Sequence, residues 1–328
     1  MSRLRPYPTL VVFLALSAFT GLVTGPAGLG AGELLEVLGG GGDPQARLIL
    51  LQIRGPRVVA ALLVGAALAV SGGLFQALLR NPLAEPYLLG VSSGAALGAV
   101  VALVSGLAAA AALALPLAAL AGGLAAIAVV FRVARVAGRM DVRVLILAGV
   151  VTSAFLSACI TLLLTLGPAE ALRSAYFWTL GSLSGISWKM NGILALYAVP
   201  AALVAFALAR DLNALSLGEE AASALGTDVE RTKRIAYTIG SLLAAATVAV
   251  AGIIGFVGLV VPHAVRMLWG NDHRRLLPLS WLAGAGVLTF ADAAARGPWG
   301  PVEIPIGVVT ALVGVPFFLL LLRRGSTA

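Results

Sequence analysis

Residues that could carry chemistry are scarce in this chain. The two lysines, Lys189 and Lys233, lie outside any Gly-x-x-x-x-Gly-Lys-Ser/Thr sequence, so the chain lacks the phosphate-binding loop needed to hydrolyse ATP unaided. The single cysteine, Cys159, lies in an apolar run, which excludes a disulfide framework and a cysteine-based metal site. Because His263 and His273 have no acidic cluster beside them, we favour structural roles for both over metal binding. We therefore expect no catalytic residues and no metal site.

A more informative segment combines glycine with helix-capping residues. Ser216-Leu-Gly-Glu219 fits a capping box and Gly226 fits a helix end, so the spacing predicts a short helix between them. Thr227-Asp-Val-Glu230 fits a second box that would start the next long helix. Two capped helices in succession would form a rigid bend that can transmit force. We call the segment from Ser216 to Gly226 the elbow. A solvated turn between two long helices fits the same residues equally well.

The composition shows what kind of element must position these residues. Of the 328 residues, 60% are hydrophobic and only 11% are charged, with a mean hydropathy of +1.03. Soluble proteins average roughly 45–50% apolar and about 25% charged residues. A surface with so little charge must face lipid, so the sequence predicts an all-α polytopic membrane protein.

About ten spans of the required length, about 20 apolar residues each, fit the chain. We interpret residues 1–328 as a single transmembrane domain, with an external loop at about 25–56 and short cytoplasmic helices at about 214–230. The eighth span is short and contains Pro262, so its limits are the least defined. The predicted spans are 7–23, 58–79, a third opened by Pro86, 117–133, 144–166, 193–209, three between 235 and 296, and 304–322.

The basic residues predict the orientation. The net charge of +8 is spread over small groups between apolar runs, which indicates topology rather than nucleic-acid binding. Sixteen of the 22 basic residues fall in the predicted inner loops, so both termini are expected in the cytoplasm. Three outer arginines near span ends, Arg54, Arg57 and Arg296, depart from the rule. They could anchor helix ends in lipid headgroups or form a docking site for an acidic partner.

Several segments, in the same order along the chain, resemble the FecCD family, the membrane permeases of ABC importers for iron-siderophores, haem and vitamin B12. The resemblance covers nearly the whole chain. It is carried by Arg54-Gly-Pro-Arg57 with the run LLVGAALAVSGGLFQALLRNPLAEPYLLGVSSGAALGAV, the loop LSLGEEAASALGT, the run GFVGLVVPHAVRM with NDHRRLLP, and the ending EIPIGVVTALVGVPFFLLLLRR.

The resemblance implies a multi-pass subunit of the cell membrane, surrounded by lipid, that pairs with a second copy of itself. It also implies two cytoplasmic ATPase subunits, which would bind ATP and magnesium, and an extracytoplasmic substrate-binding protein. No cofactor would bind to this chain. The family pattern assigns Arg54, Arg57 and Arg296 to docking of the binding protein, and Asn81 and Leu83 to an inner gate. Contact with the ATPase falls on Leu217, Gly218, Glu219, Ala222 and Gly226, with the small residues expected to permit close approach.

The resemblance also implies a small set of possible substrates. An iron-siderophore is our first choice, with haem and vitamin B12 as alternatives. Vitamin B12 permeases carry small polar residues at a second inner constriction, whereas this chain has Met140-Asp141-Val142 there, which argues against that gate and against B12. Two other classes compete: an ion-coupled secondary transporter, which usually places ionisable residues at mid-membrane, and a membrane-embedded enzyme. Asp292 is the one acidic residue within a predicted span, near its outer end.

Overall fold

The computed structural model describes residues 5–136, 138–297 and 303–325, and the regular structure in this part of the chain is helical apart from one two-stranded hairpin. The strands β1 (Arg135–Val136) and β2 (Arg139–Met140) pair antiparallel. The helices are α1 (Pro6–Val23), α2 (Ala31–Leu38), α3 (Pro44–Leu48), α4 (Gly55–Leu78), α5 (Val91–Val104), α6 (Leu107–Ala110), α7 (Ala114–Ala134), α8 (Val142–Leu166), α9 (Ala169–Thr179), α10 (Trp188–Ala207), α11 (Ala209–Ser216), α12 (Glu219–Ala224), α13 (Val229–Ala251), α14 (Val257–Trp269), α15 (His273–Arg296) and α16 (Ile306–Gly325).

Ten of these helices are apolar enough to account for the predicted spans. Within the described residues, seven are long enough to cross a membrane, namely α1, α4 with its N-terminal extension, α7, α8, α10, α13 and α15. Three shorter apolar helices, α5, α14 and α16, complete the set. The prediction of an all-α polytopic membrane protein is therefore confirmed. The arginine-rich connections mark the cytoplasmic side; Arg3, one of the predicted inner residues, lies outside the described part of the chain.

The second span begins earlier than the sequence suggests. Its helix starts at Pro44, because the Asp43 carboxylate accepts hydrogen bonds from the amides of Gln45 and Ala46 and so caps α3. A π-helical segment, Ile49–Arg54, then continues without a break into α4. The predicted external loop at 25–56 therefore ends near residue 43, and it contains the amphipathic helix α2.

Two other spans are interrupted where glycine or strained backbone occurs. Pro86 opens a 3₁₀ turn, Pro86–Leu89, that ends at Gly90 with φ of 84°, so the third span proper starts at Val91. Pro262, in contrast, lies inside an unbroken α14. The break before α14 lies between Gly252 and Phe256, and both residues have positive φ.

The fold is built around α4, whose side chains are almost all buried against α13, α14 and α15. Two of its glycines touch the backbone of neighbouring helices. A Cβ at Gly65 would overlap the carbonyl oxygen of Gly284 in α15, and a Cβ at Gly72 would overlap that of Gly258 in α14. Glycine at these positions is what lets the helix axes approach so closely.

The same packing joins α5 to α7. A Cβ on Gly94 would lie 2.5 Å from the carbonyl oxygen of Gly122, and one on Gly98 would overlap the carbonyl oxygen of Ala118. Gly90, the first glycine of that repeat, precedes the helix and acts through its positive φ instead. The Gly94–Gly98 repeat is thus a helix-packing motif.

Replacing Gly72 with alanine should lower the thermal stability of the purified protein, because overpacking a fitted contact costs typically about 1–3 kcal/mol. Gly192 in α10 is the matched control, since a Cβ there would meet nothing within 4 Å. Gly192→Ala should leave the melting temperature unchanged or slightly raised. Equal melting temperatures for the two variants, measured by tryptophan fluorescence in detergent, would contradict the packing role.

Candidate functional site

The outer ends of α4 and α15 carry a buried cluster of charged side chains. The Arg57 guanidinium donates from Nε and Nη2 to the Asp292 carboxylate at 3.0–3.2 Å and from Nη1 to Glu303 at 2.8 Å. Arg296 contacts the other side of Asp292 at 3.0 Å. Asp292 is fully buried between the two arginines, while the Glu303 side chain is 38% exposed.

Arg54 and Arg296 also hold the C-terminus of α1. Arg54 Nη1 donates to the carbonyl oxygens of Leu22 (2.8 Å) and Val23 (2.7 Å). Arg296 donates to those of Gly21 and Thr24, both at 3.0 Å. The last carbonyls of a helix lack intrahelical partners, and these guanidinium groups supply them.

The three outer arginines are therefore brought together, but in the interior of the subunit. Arg54, Arg57 and Arg296 are 3%, 8% and 3% exposed. The lipid-headgroup interpretation is wrong, because these side chains are almost fully buried in contacts within the subunit. Docking of an acidic partner stays a prediction. Their intramolecular contacts already explain why arginines occupy these positions.

At the cytoplasmic end, the elbow differs from the prediction at both of its caps. Ser216 ends α11, where its hydroxyl donates to the carbonyl oxygen of Asn213 at 2.6 Å, so the predicted Ser216 cap is wrong. A turn at Gly218, with φ of 111°, leads into α12 without a side-chain cap. The last turn of α11 continues two residues too far for Ser216 to act as an N-cap.

The second predicted capping box is also shifted. Asp228, rather than Thr227, caps α13 by accepting a hydrogen bond from the Arg231 amide at 3.0 Å. Glu230 turns away to accept a hydrogen bond from the Met140 amide at 2.7 Å. The short helix itself is present as α12, and Gly226 follows its end with φ of 81°.

The two sides of α12 differ in what they contact. Ala222 is buried against Leu215 and Val229, so its small side chain permits close packing within the subunit and is not available to a partner. Leu217 and Leu225, which flank α12, are 68% and 64% exposed. Sequence reasoning missed Leu225, although its position as an apolar residue directly before the terminal Gly226 was a usable signal.

The helix before the elbow is fixed to the start of α15. The Asn213 amide donates to the Asp272 carboxylate at 2.6 Å, and its oxygen accepts a hydrogen bond from the His273 amide at 2.8 Å. Asp272 in turn caps α15 through the Arg274 amide. The hydrogen bond from Asn213 lowers the pKa of Asp272 below its usual value. Asn213 thus links the end of α11 to the start of α15.

The predicted gate residues lie in the turn after α4. The Asn81 side-chain oxygen accepts a hydrogen bond from the Leu83 amide at 2.9 Å, and Arg80 before it has φ of 47°, a strained value for a residue with a Cβ. A cavity of about 310 Å³ is lined by this turn together with Ser216 and His273. The structure therefore brings the predicted gate turn and the elbow to one cavity.

A buried lysine next to the elbow was missed. Lys233, in the first turns of α13, donates to the Met140 carbonyl oxygen at 2.7 Å and pairs with Glu219 at 3.2 Å and Glu230 at 2.7 Å. The spacing of Glu230 and Lys233, three residues apart on one helix, was a usable signal for their pairing. Nothing in the local sequence pattern identifies Met140, which is 93 residues away along the chain.

One face of α8 carries hydroxyl groups at membrane depth. Ser153, Ser157, Thr161 and Thr165 recur every four residues and are half-buried or exposed. The Thr161 and Thr165 hydroxyls donate to carbonyl oxygens one turn earlier, at 3.0 Å and 2.8 Å. Spacing by four places the groups along one side of the helix. We call this set the α8 hydroxyl stripe.

Ionisable groups elsewhere serve local structure. Glu85 is largely buried and accepts a hydrogen bond at 2.9 Å from the amide of Phe256, the residue of positive φ before α14. It satisfies a backbone group that the interrupted helix leaves free. Among residues 5–136, 138–297 and 303–325, no three His, Cys, Asp or Glu side chains come together in a way that could hold a metal ion.

Comparison with known proteins gives concordant matches. The model of the FecCD transport family matches residues 10–324. The chain is 44% identical to the cobalamin import system permease protein BtuC of Halobacterium salinarum, over 85% of this chain and 74% of that protein. It is 39% identical to the hemin transport system permease protein HmuU of Yersinia pestis, over 84% and 83%. The solved structure of a metal-chelate type ABC transporter, in an inward-facing conformation, superposes with a TM-score of 0.86 at 34% identity, covering 96% of this chain and 98% of that one.

Removing the charge of Asp292 should destabilise the protein, because Asp292→Asn leaves two buried guanidinium groups without their shared carboxylate. The expected loss is on the order of 3 kcal/mol. Glu170→Gln, at an exposed acid on α9, removes the same charge without breaking a buried pair. A melting temperature for Asp292→Asn equal to that of the Glu170 variant would show that the cluster does not hold the outer ends together.

Proposed function

Because the chain belongs to the FecCD transport family and is an ABC importer permease, we propose that it acts as a homodimer with two cytoplasmic ATPases and an extracytoplasmic binding protein. The ATPases would bind ATP and magnesium and carry out hydrolysis. The permease would supply the path through the membrane and hold no cofactor of its own.

The observation that carries this proposal is the form of the elbow. Leu217 and Leu225 expose apolar side chains on the cytoplasmic side, beside α12. The elbow is also held firmly, through Asn213 on one side and Glu219 on the other. An apolar, rigidly supported surface suits a cleft on a partner protein. Together with the missing phosphate-binding loop, it supports coupling to a separate ATPase. Gly218, Glu219, Ala222 and Gly226 would then shape the elbow, while the two leucines make the contact.

The α8 hydroxyl stripe supports a path between two copies. Polar side chains at membrane depth usually face protein or water rather than lipid. In the single subunit Ser157, Thr161 and Thr165 of this stripe are exposed. A second copy that faces it across a water-filled space would provide a polar lining for the substrate.

We propose a bulky metal chelate as the substrate, with an iron-siderophore as first choice and haem or vitamin B12 as alternatives. The relatives named for cobalamin and hemin and the metal-chelate type structure support this class. Met140 at the inner hairpin is a larger residue than the small polar ones expected of a B12 permease, and it is buried. That difference favours a chelate other than B12.

The outer arginine cluster would take part in docking through Arg57. Arg57 pairs with two carboxylates, of which Asp292 is buried and Glu303 is partly exposed. An acidic side chain of the binding protein would take the place of Glu303 and pair with Arg57. Arg54 and Arg296 would act indirectly by fixing the end of α1 beside that position. Asp292 is neutralised by two arginines, which disfavours a role as the proton-carrying group of an ion-coupled transporter.

The function is tested by reconstitution in proteoliposomes. The permease alone should take up no chelate with ATP, whereas the permease with its ATPase and loaded binding protein should accumulate it. A variant ATPase that binds but cannot hydrolyse ATP is the control and should abolish uptake. ATP-dependent uptake by the permease alone, or uptake driven by an ion gradient without the ATPase, would refute the proposal.

Replacing Leu217 or Leu225 with aspartate should weaken association with the ATPase, because each change places a charge on the apolar contact surface. A loss of roughly 1–3 kcal/mol, about 5- to 150-fold in Kd, is expected at a central contact. Leu35→Asp is the matched control, since Leu35 is 67% exposed on the external helix α2. Binding is measured in detergent without the binding protein. Wild-type affinity for both elbow variants would place the ATPase contact elsewhere.

A further inference from the structure

Lys233 links three separate segments at the cytoplasmic end of the subunit. Its ammonium group contacts Glu219 of α12, Glu230 of its own helix and the Met140 carbonyl oxygen of β2. The residue is only 2% exposed. A lysine this buried is tolerated when its charge is paired, and here the ammonium group donates to Met140 and Glu219 and forms an ion pair with Glu230.

Glu230 and Lys233 hold the hairpin through the backbone amide and carbonyl groups of Met140. The Met140 amide donates to Glu230 and the Met140 carbonyl oxygen accepts from Lys233, both at 2.7 Å. The next residue, Asp141, caps α8 by accepting hydrogen bonds from the amides of Arg143 and Val144. A displacement of Met140 would therefore carry the first turn of α8 with it.

The same cluster adjoins the predicted gate turn. A cavity of about 660 Å³ is lined by Lys233, Glu219 and Met140 and also by Leu79 and Arg80. Arg80 also lines the cavity that contains Asn81 and Ser216. The hairpin and the turn after α4 are thus neighbours across a shared space.

We propose that Lys233 is a positioning residue that makes α12, the β1–β2 hairpin and the start of α13 move as one unit, so that displacement of the elbow reaches α8. This inference rests on the proposed function, in which an ATPase moves the elbow. The buried ammonium group would be left without a paired charge if it separated from both carboxylates, so the links are expected to persist while the unit moves. The three segments then transmit a push on α12 without a change in their mutual contacts.

The first test is Lys233→Met in the complete complex of permease, ATPase and binding protein. ATPase association and hydrolysis should remain, while substrate transported per ATP hydrolysed should fall roughly fivefold or more. Lys189→Met is the matched control, because Lys189 is the other lysine and is exposed at the outer start of α10. A purely structural role would lower the amount of folded complex but leave transport per ATP of the folded fraction unchanged, which would overturn the proposal.

Glu219→Gln covers the case in which Lys233→Met fails to fold. It cuts the link to α12 while Lys233 keeps Glu230 and Met140, so it should reduce transport per ATP with little loss of stability. Where both variants fold, Glu219→Gln added to Lys233→Met should cause no further reduction, because the link is already broken. Additive effects of the two substitutions, or wild-type coupling in Glu219→Gln, would contradict the transmission role.

A distance measurement tests the shared movement directly. Spin labels at Ser223→Cys on α12 and Val136→Cys on β1, in a Cys159→Ser background, should keep one distance with and without ATP. In Lys233→Met the distance should change with ATP. An ATP-dependent distance in the protein with Lys233 intact would overturn the proposal. If the complex with Lys233 intact shows no ATP-dependent transport, the proposed function itself fails; if it transports and the Lys233 variant couples equally well, only this inference is lost.

Discussion

The architecture depends on direct backbone contact between helices at a few glycines. Lipid tails are as apolar as leucine, so helices in a membrane gain little from apolar burial against each other and rely on close packing. Gly65 against Gly284 and Gly72 against Gly258 provide that packing around α4. Because α14 and α15 are fixed in this way, the polar groups at both ends of the subunit have defined positions.

Charged groups are few and are used in buried sets at the two ends of the subunit. At the outer end, Asp292 is shared by Arg57 and Arg296 and ties α4 to α15. At the inner end, Lys233 gathers Glu219 and Glu230 and ties the elbow to the hairpin. In the proposed function, the outer set would lie near the docked binding protein and the inner set near the ATPase. A rigid core between them, with α8 at its margin, suits a permease in which the core stays fixed while the margin moves.

The sequence predicts the elements well because hydropathy and glycine act locally. The ten apolar helices, α12 and the helix end at Gly226 all follow from length, composition and spacing. The caps at Ser216 and Thr227 failed because each depends on where the neighbouring helix stops, which a short motif does not encode. The burial of Arg54 and the contact between Lys233 and Met140 could not be predicted either. They arise from contacts between segments far apart in sequence, and only the folded chain brings those segments together.

The central claim is that the α8 hydroxyl stripe faces water between two copies while the rest of α8 faces apolar surroundings. The most direct measurement is labelling by a charged, membrane-impermeant thiol reagent in the assembled complex, with Cys159→Ser as background. Ser157→Cys lies on the stripe, and Phe155→Cys, exposed on the opposite side of the helix in the single subunit, is the comparison. We predict rapid labelling at position 157 and little at position 155. Equal labelling at both positions, or faster labelling at 155, would contradict a water-filled path along this face.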